Sequence, residues 1–169
     1  MNKIKMLLEA MLQNVLNDHQ RSWLDEVQSE GDHLVHLDGD RAIGKTTFGI
    51  GALTVLALAR ANTQSCIIVP KNVPTASAKN QALQLISNIE NAPDPVLRSN
   101  RHEIAMFNNS KLLFMHYTPN ALRGLSLDGA FIDHNVKELS SIRELLTDVH
   151  CCTMSRAGKV LVSLEGSVF

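Results

Sequence analysis

Two glycines, a lysine and a threonine in Gly39-Asp40-Arg41-Ala42-Ile43-Gly44-Lys45-Thr46 are spaced to hold a chain of phosphates. The pattern is a complete Walker A loop, and its surroundings suit it. A short apolar run (Leu34, Val35, Leu37) precedes it, and a helix-forming run from Thr46 to Arg60 follows. Glycines let successive N–H groups turn inward as an anion nest, and the helix start adds the positive end of its dipole. Lys45 then reaches the β- and γ-phosphates, and the Thr46 hydroxyl takes a place on Mg²⁺. The implied ligand is a nucleoside triphosphate.

Such a loop needs a carboxylate for Mg²⁺, normally at the end of a neighbouring strand. Gly129-Ala130-Phe131-Ile132-Asp133 offers one, small and apolar until its last residue. Asp133 is therefore the candidate Walker B aspartate, with an ordinary strand-end residue as the alternative. Hydrolysing enzymes of this class usually follow it with Glu, which orients the attacking water; here the residue is His134. A neutral imidazole, with a reference pKa of roughly 6.5, accepts a proton. It brings no negative charge to the water, and a neighbouring Mg²⁺ disfavours its protonation, so slow or absent hydrolysis is one expectation. Glu138 and Glu165 are possible substitutes.

Arg41 lies within the loop, four residues before Lys45. It is either a solvated loop arginine or a guanidinium delivered in cis to the γ-phosphate, a device that elsewhere contributes ~10³–10⁵ in rate. Gln20 carries an amide able to pair with N6 and N7 of adenine together. Arg123, in Ala121-Leu122-Arg123-Gly124, could contact phosphate, although a loop arginine needs no such role.

Positioning these groups requires strands alternating with helices. Ile4, Leu8, Met11, Leu12 and Val15 recur at helical spacing, predicting a helix over 3–16, and a second covers Gln20 to Gln28. Residues 33–38 read as the first strand, and the helix after the loop is apolar on nearly every side. Ser65–Val69 is a short apolar strand, and Ala78, Ala82, Leu85, Ile86 and Ile89 mark a helix. Asn91–Asn100 reads as a loop because of Pro93 and Pro95. Glu103–Phe107 and Lys111–His116 flank Asn108-Asn109-Ser110 as a β-hairpin. Ala130–Asp133 is a strand, Leu139 to Val149 a helical face, and Lys159–Ser163 the last strand. The predicted fold is α/β: a mostly parallel sheet between two helical layers, with a β-hairpin and N-terminal helices. One domain is expected over 1–169, with helices over 1–32 and the nucleotide-binding core over 33–169.

At 169 residues and 44% apolar content, the chain can bury a real core, and 4% aromatic content makes that core aliphatic. A net charge of −1 gives no global attraction to nucleic acid, so any such contact needs a local patch. Three cysteines (Cys66, Cys151, Cys152) suggest no disulfide framework, and the dispersed histidines give no zinc spacing. The N-terminus lacks the pattern of a signal peptide, and the apolar run Thr46–Ala59 is too short to span a bilayer. The expectation is a soluble cytoplasmic protein without membrane contact.

Together these segments resemble the ATPase half of the large terminase of tailed double-stranded-DNA phages, over about residues 16–166. Leu16-Asn17-Asp18-His19-Gln20-Arg21 resembles that family's upstream glutamine motif, and Arg41-Ala42-Ile43-Gly44-Lys45-Thr46-Thr47 its Walker A with an early arginine. Ile67-Ile68-Val69-Pro70 and the Ala-rich helix after it resemble the second strand and helix. Asn109-Ser110-Lys111-Leu112-Leu113-Phe114 resembles the family's Asn-Gly-Ser hairpin, and Leu122-Arg123-Gly124-Leu125-Ser126 its lead into Walker B. Val160-Leu161-Val162-Ser163 falls where the strand to the coupling motif runs. The resemblance implies ATP and Mg²⁺ as ligands, held by Gln20 and residues 39–47, with Thr46 and Asp133 on the metal. It makes Arg41 the trigger and Ser163 part of the segment coupling hydrolysis to movement. It implies double-stranded DNA, a portal or other packaging proteins, and a ring of copies as partners.

Three departures stand beside it. His134 replaces the catalytic Glu, Ser163-Leu164-Glu165-Gly166 keeps one hydroxyl where the coupling motif has several, and no nuclease domain follows. Two readings stay open: a packaging-type ATPase whose nuclease is supplied by a separate subunit, or a degenerate nucleotide-binding relative acting through protein contacts.

Overall fold

The computed structural model describes residues 3–30, 33–39, 43–89, 93–118, 120–135 and 139–165. Their elements are α1 (Lys3–Leu12), α2 (Asp18–Gln28), β1 (Leu34–His36), α3 (Lys45–Ala59), β2 (Gln64–Val69), α4 (Thr75–Ser87), β3 (Val96–Ser99), β4 (Glu103–Met106), β5 (Lys111–His116), β6 (Gly129–Asn135), α5 (Leu139–Met154) and β7 (Lys159–Glu165). All seven strands join one sheet in the order β1-β7-β6-β2-β5-β4-β3. The five strands from β1 to β5 in that order are parallel, and β4 and β3 extend them antiparallel.

Alternation along the strands sends side chains to two cores. Ile67, Val69, Phe114, Phe131 and Leu161 face α1 to α4. Cys66, Ile68, Ala130, Ile132, Val160 and Val162 face α5 and the segment holding Leu122 and Leu127. β2 is buried over five of its six residues, which is why it reads as an unbroken apolar run rather than an alternating one.

α3 is apolar all round because it lies between the sheet and the other N-terminal helices, with Phe48, Ile50, Leu53, Val55 and Ala57 buried. Its contact with β6 is fitted by size. A Cβ on Gly49 would fall 2.4 Å from the Phe131 ring, and a Cβ on Gly129 would fall 2.7 Å from Leu53. Small thus opposes large twice along this contact. The far end of α3 is capped by the β4–β5 turn. The Asn108 amide donates to the Ala57 carbonyl at 2.8 Å, and the Ser110 hydroxyl to the Arg60 carbonyl at 2.7 Å.

Three expectations need correction. The first helix ends at Leu12 rather than residue 16, because Gln13 turns into the left-handed region (φ 51°). The stretch read as a loop contains β3, whose partner β4 supplies the ladder that its prolines and irregular pattern conceal. The strand carrying Asp133 does not neighbour the strand leading into the phosphate loop; β7 lies between them. No described helix is long and apolar enough to cross a membrane.

Replacing Gly49 with Ala removes a weak helix former but drives a methyl into Phe131. The overpacking cost of about 1–3 kcal/mol should exceed the propensity gain of about 1 kcal/mol. Urea unfolding of Gly49→Ala should show lower stability, and pairing it with Phe131→Leu should recover part of the loss.

Candidate nucleotide site

Gln20, the described loop residues, Asp133 and Ser163 converge at the carboxyl ends of the parallel strands, where α3 begins. Gly39 (φ 99°) and Gly44 (φ 86°) bend the chain through left-handed conformations that a side chain would resist. Gly44 is the residue before α3 and offers no side-chain cap, and the first turn Lys45-Thr46-Thr47 contains no acid. Contrast α2, whose Asn17 and Gln20 form a reciprocal capping box with Asp18 in the first turn. A lysine at a helix N-terminus opposes the dipole. The start of α3 therefore concentrates positive potential with no side chain of its own to answer it.

Lys45 is nearly buried and curls back so that Nζ donates to the Gly39 carbonyl at 2.9 Å, bridging the two glycines of the loop. The Thr46 hydroxyl donates to Oδ2 of Asp133 at 3.0 Å, across 87 residues of sequence. The Thr47 hydroxyl accepts from Nε2 of Gln81 on α4 at 2.8 Å. The described loop residues and Asp133 are thus brought together by two helices and β6.

Ser163 is buried on β7 in register with Asp133. Because Leu37 N–H bonds the Val162 carbonyl at 2.9 Å, Ser163 lies between the approach to the loop and the aspartate. Gln20 meets the loop as well: Nε2 donates to the Ile43 carbonyl at 3.4 Å, while Oε1 accepts from Asn17 N–H at 3.2 Å. Each end of its amide makes one bond here, which fixes its direction, and a side-chain amide has a second N–H and a second lone pair with which to meet a base. Asp40, Arg41 and Ala42 lie outside the described residues, as does Glu138. His134 is a residue of β6 in register with Leu164, and Glu165 ends β7; their side chains are outside the description.

Arg123 is not part of this cluster. Its segment docks on the last turns of α5, where Cys152 Sγ–H donates to the Leu122 carbonyl at 3.2 Å and Leu127 N–H to the Cys152 carbonyl at 2.9 Å. That is the end of β6 opposite to Asp133. The three cysteines are free thiols, and burial pushes those of Cys66 and Cys152 upward, so neither is a nucleophile at neutral pH.

Two contacts escape sequence reasoning. Trp23 of α2 is buried, edge-on to Phe48 at 5.3 Å, and its indole N–H donates to Oδ1 of Asp38 at 2.9 Å, just before Gly39. The Gln81–Thr47 bond has no signal at all, since a glutamine on a helix is unremarkable. Asn17-x-x-Gln20 is readable as a capping box.

The sheet order, and the placing of Lys45, Thr46 and Asp133, are those of a P-loop NTPase-like fold. No family model and no curated protein matches the sequence. Solved structures do. The ATPase domain of the Thermus phage P74-26 large terminase superposes with a TM-score of 0.69 at 14% identity, covering 95% of this chain and 69% of that one. The bacteriophage HK97 large terminase gives 0.64 at 16% identity, covering 98% and 38%. The large terminase of a thermophilic bacteriophage, solved in complex with ADP, gives 0.61 at 11% identity, covering 88% and 38%. The chain has the fold of phage large terminase ATPase domains. It spans about two thirds of such a domain, and under half of the longer terminase chains.

A double-mutant cycle with Thr46→Val and Asp133→Asn should reveal the bond. Hydrogen bonds to charged groups contribute about 1.5–3 kcal/mol, so urea unfolding should report coupling of about 1 kcal/mol or more; additive losses would deny it.

Proposed function

We propose that this chain is a terminase-type motor domain that binds ATP with Mg²⁺, hydrolyses it and moves double-stranded DNA. The supporting observation is the Thr46–Asp133 pair set beside an uncapped, acid-free helix start that carries a buried lysine. The residues fit the ligands. The Thr46 hydroxyl and the Asp133 carboxylate are oxygen donors set side by side, the ligand type that Mg²⁺ takes, and they would hold it. When bound, the metal would neutralise charge on the phosphates.

The chain's own groups would do the rest. The amides of Gly44, Lys45 and Thr46 hold the phosphates, and Lys45 exchanges its bond to the Gly39 carbonyl for one to phosphate oxygens. Arg41 reaches the γ-phosphate, and Gln20 senses the base while tethered to Ile43. The partners in this reading are a portal or other packaging proteins and further copies in a ring, in the host cytoplasm.

His134 favours a second reading, in which ATP is bound tightly but not turned over and the chain acts by protein contact. Phosphate release by the purified chain with Mg²⁺ separates the two. Turnover abolished by Lys45→Ala supports the motor. Binding without turnover, with turnover gained in His134→Glu, establishes the second reading. Binding itself has a built-in probe, because Trp23 is the sole tryptophan and bonds the residue before the loop. MgATP should change its emission, and Lys45→Ala should abolish that response; an unresponsive wild-type chain would count against nucleotide binding altogether.

A further inference from the structure

At the far end of α3, where β6 and β7 begin, a cavity of about 470 Å³ lies on the side of the sheet facing α1 and α2. Ligand pockets run from about 300 to 1,000 Å³, so it has room for a small molecule. Ile4 of α1, Val27 of α2, Leu56 of α3 and Leu161 of β7 give it apolar walls, and Gly129 of β6 lines it as well. Ala59, Arg60 and Ala157 also line it and are exposed, so the cavity opens to solvent beside them.

Two polar groups at this place have no partner. Ser65 of β2 is fully buried, and among the described buried side chains its hydroxyl alone makes no hydrogen bond. Native interiors rarely leave such an atom unmet. The hydroxyl lies 3.5 Å from where a side chain on Gly129 would begin, and Leu56 Cδ2 lies 3.3 Å from the same point. An occupant that displaces this half-buried leucine therefore meets the hydroxyl. At the mouth, the Arg60 guanidinium forms no ion pair or hydrogen bond among the described residues. Lys159 is a second cation in the lining. Asp128 is the one acid among the described residues there, and it is already engaged by Gln64 N–H at 2.8 Å and Arg156 at 2.7 Å. Carbonyls at the end of α3 are engaged too, Ala57 by Asn108 and Arg60 by Ser110. A bound anion would thus face a guanidinium rather than a bare helix terminus.

We propose that this cavity binds a small amphipathic carboxylate. The carboxylate sits on Arg60, the apolar body lies under Leu56, and a hydroxyl or carbonyl at the far end of the ligand bonds Ser65. An apolar cavity with a few convergent polar groups suits such a molecule. The proposal stands apart from the nucleotide reading, because it uses no residue of the loop.

Isothermal titration calorimetry of the full chain with ω-hydroxydecanoate, decanoate and decylammonium tests it. The hydroxy acid should bind most tightly, and the cation not detectably. Arg60→Gln should weaken both acids about threefold, as befits a charged contact at an exposed mouth. Ser65→Ala should weaken the hydroxy acid alone, by about two- to tenfold, the effect of one hydrogen bond. Because that variant removes an unmet hydroxyl, its melting temperature should not fall. Ala59→Phe, at the exposed mouth, should block both acids while leaving the circular dichroism spectrum unchanged. Absence of binding by the hydroxy acid overturns the proposal, as does decylammonium binding as tightly as decanoate. Unchanged affinity for both acids in Ser65→Ala also overturns it, and is the result expected if a water meets Ser65 instead.

Discussion

The hydrogen bond from Thr46 to Asp133 joins the start of one helix to the end of a strand 87 residues away, and much of the molecule is arranged to set its length. α3 descends along β6 in matched steps. Thr46, Gly49 and Leu53 meet Asp133, Phe131 and Gly129 in turn. Seven helical residues rise about 10 Å and four strand residues about 13 Å, so the two spacings nearly keep pace over this length. At the second step the helix offers no side chain, and at the third the strand offers none. Without those two glycines the helix would be held off the sheet and the carboxylate would lose the hydroxyl.

β7 contributes by standing between β1 and β6. Strand spacing of about 4.8 Å puts the aspartate roughly two strands from the approach to the loop. That interval is what α3 must cross from Gly44 to reach Asp133. Ser163 occupies the middle of the gap, at the level of Asp133. It is buried there, so its small side chain fills the gap between the two strands.

How much of this can be read from sequence depends on whether the determinant is local. The Walker A pattern is legible because its glycines, lysine and threonine fall within eight residues. The β4–β5 hairpin is legible because Asn108-Asn109-Ser110 turns and the flanking runs alternate; Asn109 indeed adopts the left-handed conformation, φ 64°. Asp133 is legible as a strand end, yet its partner is not, since sheet order depends on crossovers that no short pattern encodes. β3 stays hidden because an edge strand with three of its four residues exposed has no apolar signature. Gln20 stands out for its amide, but the local competition of Asn17 for that amide decides where it points. Gln81 and Trp23 meet the loop only through tertiary packing.

The contrast among the helix starts carries the electrostatic argument further. α2 has a side-chain cap and an acid, and is complete in itself. α3 and α4 follow strands whose carboxyl ends share one edge, and both begin with neither. A good N-cap contributes about 1 kcal/mol, so forgoing it twice on the same edge leaves amide groups and positive dipole ends unanswered. Substituting a capping aspartate at Gly44 would supply the missing cap but put a negative charge at the proposed phosphate position, on a backbone (φ 86°) that glycine adopts most easily. Left without a side-chain partner, those amides bond water, or an anion where one is present. The Gln81–Thr47 bond ties the first turn of α3 to the middle of α4.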